Sequence, residues 1–253
     1  MDWDQVILAA TGLLLAGLIK GATGLGYSTC ALPFLAAAIG LKSAIATVPI
    51  PAMAANIGLL FGAGHIRETL KRFRVFYAAT IPGIFCGTTL LAWVNQSFAT
   101  RVLGVITILY VTYVIIRPNL HLPSSWEMKL QFPLGLLNGF LTGLTGSQIM
   151  PLLPYMFALK LDPDRFVQAV NIAVVTASLT LILALIYGGL MTWQLAIASA
   201  IGVLPALVGV FLGNQIRSRM PSATFRTVVL LTLLGIGFAL LININTLFSA
   251  AAG

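Results

Sequence analysis

Two stretches decide the fold: Lys20-Gly21-Ala22-Thr23-Gly24-Leu25-Gly26-Tyr27-Ser28-Thr29, and Asn138-Gly139-Phe140-Leu141-Thr142-Gly143-Leu144-Thr145-Gly146-Ser147-Gln148. Each is a glycine-rich break between short apolar runs, and each carries hydroxyl and amide side chains on its C-terminal side. Outside the breaks the chain is almost wholly apolar. Of its 253 residues 59% are hydrophobic and 8% are charged, where a soluble domain carries about 25% charged residues. With a mean hydropathy of +1.01 this reads as an integral membrane protein with little chain left for an extramembrane domain.

Ten apolar segments follow one another: 5–19, 25–41, 44–63, 73–94, 99–116, 130–144, 148–159, 166–187, 192–213 and 225–248. The first two and the sixth and seventh are short, and 148–159 is too short to cross a ~30 Å hydrocarbon core as a helix. The others are long enough, so the order short, short, long, long, long occurs twice. Residues repeat with it. Lys20-Gly21 matches Asn138-Gly139, and Gly24-Leu25 matches Gly143-Leu144. Gly64-His65-Ile66 matches Gly189-Leu190-Met191, Pro82 matches Pro205, and the stretch Ser97–Arg101 resembles Pro221–Arg226. The expected fold is an all-α polytopic membrane protein of two homologous halves, 1–117 and 130–253. A cytoplasmic linker at 118–129 joins them, and a short or re-entrant glycine-broken helix pair opens each half.

Charge sets the expected orientation. Arg67, Lys71, Arg72 and Arg74 mark one loop as cytoplasmic. Strict alternation then puts Arg117, Lys129, Lys160, Arg165, Arg217, Arg219 and Arg226 on the same side. Of the fourteen basic residues only Lys42, Arg101 and, in a bend, Lys20 fall elsewhere. Both termini are expected on the outer face. The loop at 65–74 and its counterpart at 188–193 then lie on opposite faces, so the repeats are expected to be inverted, a hallmark of secondary transporters.

Unpaired backbone in hydrocarbon is tolerated where it faces protein or water, so paired glycine breaks imply a cavity. Ser28, Thr29, Ser147 and Gln148 are expected to begin the second helix of each pair, where free N–H groups and the helix dipole attract an anion. Gly24, Gly26, Gly143 and Gly146 would let backbone approach it, with Thr23, Tyr27, Thr142 and Thr145 beside them. Lys20 is an electrostatic partner for the anion or a snorkelling surface group. Asn56 and Asn171 hydrogen-bond between helices or line the path, and Pro49 and Pro51 are expected to kink the third segment. All six acidic residues (Asp2, Asp4, Glu68, Glu127, Asp162, Asp164) fall at ends or loops, which disfavours cationic substrates and a carboxylate relay. Cys30 and Cys86 suggest neither disulfide nor metal site. The basic residues form loops rather than a nucleic-acid patch, and no residue set suggests an enzyme.

From Lys20 to Gly26 and on to Leu32-Pro33, from Asn138 through Gly146 to Pro151, and at Pro82-Gly83, Gly87, Pro205, Gly209 and Gly213, the chain resembles the TauE/SafE family of sulfite exporters, also called the toluene sulfonate uptake permease family. The resemblance covers nearly the whole chain. It implies a carrier in the bacterial cytoplasmic membrane for sulfite, thiosulfate or organosulfonates such as taurine, isethionate or sulfoacetate. The family is often drawn with eight spans and hence parallel halves; the charge pattern here favours inverted ones. A carboxylate carrier and a passive anion channel are the alternatives on the same scaffold. No cofactor is expected, coupling to H+ or Na+ is left open, and the expected partners are a small anion and the bilayer. The residues leave the oligomeric state and the direction of transport open.

Overall fold

A computed structural model describes residues 3–23, 26–62, 66–116, 121–219 and 222–242. Among them every element is helical: α1 (Trp3–Thr23), α2 (Tyr27–Ile39), α3 (Leu41–Thr47), α4 (Pro49–Gly62), α5 (Ile66–Trp93), α6 (Gln96–Ile116), α7 (Ser124–Thr145), α8 (Leu152–Ala158), α9 (Pro163–Tyr187), α10 (Trp193–Ile201), α11 (Val203–Arg219) and α12 (Ser222–Ile242). Large apolar side chains such as Leu204 and Phe211 are exposed. Thr29, Gln131, Asn138, Ser147 and Ser178 are buried. That arrangement suits a lipid surround, in which apolar groups gain nothing from burial and polar groups must find protein partners. Four stretches, Ile66–Trp93, Gln96–Ile116, Pro163–Tyr187 and Trp193–Ile216, are long and apolar enough to cross a membrane. The protein is thus a polytopic membrane protein.

Several boundaries differ from the sequence reading. The segment 44–63 divides at Val48, because Pro49 lacks the N–H that would continue α3 and instead opens α4. The segment 192–213 divides at Gly202 into α10 and α11. The breaks themselves are shorter than expected: α1 is helical through Thr23 and α7 through Thr145, and α7 already begins at Ser124, inside the expected linker. Glycine costs a helix only about 1 kcal/mol, and close packing offsets it.

That packing is specific. A Cβ added at Gly17 would strike the Ala206 backbone, and one at Gly21 the Val210 backbone. From the other side, Gly209 and Gly213 press on Leu14 and Leu18. So α1 and α11 run parallel along a glycine seam, the small-residue packing common between membrane helices. The same seam joins α7 to α5: Gly139 meets Thr80 and Gly143 meets Ile84, while Gly83 and Gly87 meet Leu136 and Phe140. These contacts pair Gly21 with Gly143, one helical turn from the Gly21–Gly139 match read in the sequence. Because the seam glycines recur every fourth residue, a one-turn slip still sets glycine on glycine.

Polar contacts fix which helix ends meet. Arg72 on α5 makes a two-pronged ion pair with Glu127 on α7 at 2.7 and 3.0 Å. Arg165 on α9 reaches Glu68 at 3.2 Å, and the Leu122 N–H donates to the Ala158 carbonyl. The starts of α5, α7 and α9 and the end of α8 therefore share one face. Elsewhere Ser199, in the last turn of α10, donates to the Thr47 carbonyl at 2.8 Å, joining the end of α10 to the junction of α3 and α4.

Candidate functional site

The two breaks meet. Gly26, with φ +88°, takes the left-handed backbone that glycine tolerates and turns the chain into α2, so that Tyr27, Ser28 and Thr29 form that helix's first turn. In the second half α7 ends on Gly146 at φ +76°. There the sequence expectation fails: Ser147 and Gln148 do not begin a helix. They lie in a non-helical stretch, and α8 starts at Leu152. Pro151 is the reason, since a residue before proline is pushed out of the α region and proline is suited to a helix start rather than its interior. The second break therefore offers non-helical backbone and side chains at Ser147 and Gln148, and no helix N-terminus there.

Across the junction Ser28 Oγ donates to Gln148 Oε1 at 3.3 Å. The hydroxyls of Thr29 and Ser147 share a 3.2 Å hydrogen bond. Gln148 Nε2 in turn donates to Ser178 Oγ on α9 at 3.0 Å. Two glycine breaks more than a hundred residues apart thus join through four buried side chains.

Beside this junction is a cavity of about 20 Å³, room for about one water. Its polar wall is Lys20, Tyr27, Ser28, Asn56, Gln148 and Asn171, with Gly26 at one edge. Lys20 is only 4% exposed, so it does not snorkel to a surface. Its Nζ donates to Asn56 Oδ1 at 2.6 Å, and Asn56 is held by its Nδ2, which donates to the Ala52 carbonyl at 2.5 Å. The ion pairs among the described residues lie at the helix starts, and none includes Lys20. The Tyr27 hydroxyl and Asn171 Oδ1 are buried without a hydrogen-bond partner among the described residues. The cavity so presents a buried cation and a free phenol, with no carboxylate in its wall.

Other expected site residues are placed apart from the cavity. Thr142 Oγ1 donates to the Asn138 and Ser147 carbonyls, and Thr145 Oγ1 donates to Leu141 while accepting from the Ser147 N–H; both shape the break. Gly143 belongs to the α5 seam. Gly146 faces Leu32 and Ile45. Thr23 is the last residue of α1, and its side chain, like Gly24, lies outside the described residues, as does His65.

Sequence reasoning missed Ser178 and the apolar wall of Ile149, Leu152, Leu153, Val170 and Val174. A signal existed: Asn171, Val174 and Ser178 follow at helical spacing on one face. It also missed an aromatic layer. Phe76 stacks on Tyr155 with centroids 5.7 Å apart, and Phe73 meets both Tyr77 and Tyr155 edge-on. Tyr77 donates to the Ala169 carbonyl at 3.1 Å and Tyr155 to the Glu127 carbonyl at 3.0 Å. The layer packs with Ile149, Leu152, Leu153 and Val170, so it lies between the cavity and the face carrying Arg72 and Glu127.

No curated protein and no solved structure matches the chain. Residues 8–240, which hold both glycine seams, both breaks and every residue of the cavity wall, match the family model described as sulfite exporter TauE/SafE, and the chain belongs to that family of membrane transporters.

Proposed function

We propose that the protein is a secondary carrier of a small sulfur-containing anion: sulfite, thiosulfate or an organosulfonate such as isethionate, taurine or sulfoacetate. The ion binds at the Lys20 cavity and is exposed alternately to the two faces of the membrane. The observation that carries this reading is Lys20 itself, buried in the cavity wall without a carboxylate. Removing an ammonium from water costs several kcal/mol, and a charged residue inside a membrane protein normally marks a ligand or ion path. An anionic ligand offsets that cost. The free Tyr27 hydroxyl and Ser28 add donors, and the start of α2 adds uncapped backbone N–H groups.

Selection of an anion follows from the same wall. Lys20 and Tyr27 supply donors, while an oxyanion supplies acceptors only. A cation would meet like charge at Lys20. The family membership supports a sulfite-type anion.

Alternating access is supported by the reciprocal packing. The first helix of each half (α1, α7) seams to a helix of the other half's fourth apolar segment (α11, α5). The start of α9 sits at the start of α5, which follows the end of α4 after three residues, and α4 packs along α9. Helices α4 and α9 then run antiparallel, as inverted halves require. The aromatic layer closes the basic face, and a cavity the size of about one water admits an ion only when the packing opens.

The test is sulfite flux into proteoliposomes, with isethionate, taurine, lactate and acetate in parallel. Saturable, counter-ion-dependent flux of a sulfur anion that is lost in Lys20→Gln supports the proposal. Non-saturable flux would instead indicate a channel, and flux of carboxylates alone would overturn the sulfur assignment.

A further inference from the structure

The exposed side of α5 carries a second feature that the transport reading does not use. Arg74, Ala78 and Pro82 recur every fourth residue, which puts them on one face of the helix, and Arg67 and Lys71, also four apart, share a face just before the kink at Phe73 (φ −105°, ψ 17°). All five are exposed. The three cations step along about 10 Å of helix at 1.5 Å per residue. None of them joins an ion pair among the described residues, because Glu127 is held by Arg72 and Glu68 by Arg165.

Below Arg74 the surface is hollow. A groove of about 510 Å³ runs between α5 and α7, lined by Arg74, Val75, Ala78, Ala79, Pro82 and Phe132. Small side chains make the furrow, and Phe132, exposed on α7, forms its far bank. From Arg74 to Pro82 the furrow descends about 12 Å, close to the depth of one leaflet's acyl region, about half of the ~30 Å core. Trp126, also exposed at the start of α7, marks the headgroup level, where indole rings concentrate.

We propose that this groove binds an anionic phospholipid, its phosphate at the Arg74 guanidinium below Lys71 and Arg67, and one acyl chain laid along Ala78, Ala79 and Pro82. Charge complementarity selects the occupant: three unpaired cations above an apolar furrow match one negative headgroup above one hydrocarbon chain. Guanidinium suits phosphate because its planar fork donates two parallel hydrogen bonds. A peptide or second protein copy would leave the cations unmatched unless it carried acidic residues at the same height.

Native mass spectrometry of the delipidated full chain tests this with phosphatidylglycerol and phosphatidylcholine of matched acyl chains. Preferential retention of phosphatidylglycerol is expected. Arg74→Gln is expected to weaken it about fivefold, as loss of one near-surface cation implies. Ala78→Phe is expected to do the same by filling the furrow without changing charge, whereas Lys160→Asn, an exposed cation at the end of α8 away from the groove, leaves retention unchanged. Melting in the same detergent verifies that the variants are folded, and Lys71→Gln provides a further charge variant. Equal retention of the two lipids overturns the proposal. So does retention that survives Ala78→Phe, which would mean diffuse attraction to the basic face.

Discussion

Lys20 Nζ and Asn56 Oδ1, 2.6 Å apart and both buried, tie the last turn of α1 to α4 across the wall of the central cavity. The amide does not neutralise the ammonium; it only orients it. A charge so placed is costly to the empty protein and useful to a bound anion, and the two effects can be separated. The double variant Lys20→Met with Asn56→Leu is expected to leave the melting temperature of the ligand-free protein unchanged or raised, because replacing a buried charge together with its polar partner by apolar groups of similar size is often neutral or stabilising. It should abolish the rise in melting temperature on adding sulfite, since that rise reports binding by mass action. A large drop in ligand-free stability together with an intact sulfite shift would refute the role given to Lys20.

The Ser28–Gln148 hydrogen bond joins the two breaks, so its strength is measurable as a coupling. Ser28→Ala and Gln148→Ala are each expected to destabilise the protein by about 1–3 kcal/mol, because each leaves a buried polar partner unpaired. The double variant should cost less than the sum, with a coupling of about 0.5–1.5 kcal/mol. Chemical denaturation of the four proteins in one detergent gives the number. Strict additivity would mean that the breaks are not joined as described.

The glycine seams make a prediction of opposite signs at seam and non-seam positions. Gly21→Ala and Gly143→Ala would each drive a Cβ into the backbone of the facing helix, and overpacking of this kind costs about 1–3 kcal/mol. Gly235→Ala in α12 meets nothing within 4 Å, and there alanine should gain up to about 1 kcal/mol of helix propensity. Thermal melts of the three variants should therefore fall on opposite sides of the parent protein.

Opposite orientation of the halves is open to direct labelling. In a background of Cys30→Ala and Cys86→Ala, single cysteines at Lys71→Cys and Trp193→Cys should react with a membrane-impermeant maleimide from opposite sides of sealed vesicles. Both positions are exposed at helix starts, at the beginnings of α5 and α10, and the sequence repeat matches the segments that these helices open, 73–94 and 192–213. Labelling of both from one side would make the halves parallel.

Much of this was legible from residues alone. Hydropathy and the scarcity of charge determined that the chain is a polytopic helical membrane protein, because long uncharged apolar runs partition into lipid, where a helix satisfies its own backbone hydrogen bonds. The paired glycine breaks located the neighbourhood of the cavity, and Lys20, Gly26, Tyr27, Ser28, Asn56, Gln148 and Asn171 are in its wall. The tertiary structure decided the rest. A glycine that breaks a helix and a glycine that lets two helices touch look the same in sequence, so the sorting of Gly26 and Gly146 to turns, and of Gly21 and Gly143 to seams, required knowing which helix lies alongside. For the same reason a lone lysine in an apolar run is a snorkelling group or a buried site until its neighbour is known. Ser178 looked like an ordinary helix residue until Gln148 reached it. Apolar periodicity reports one segment's own surroundings; hydrogen-bond partners more than a hundred positions away depend on packing between segments, which no local pattern encodes.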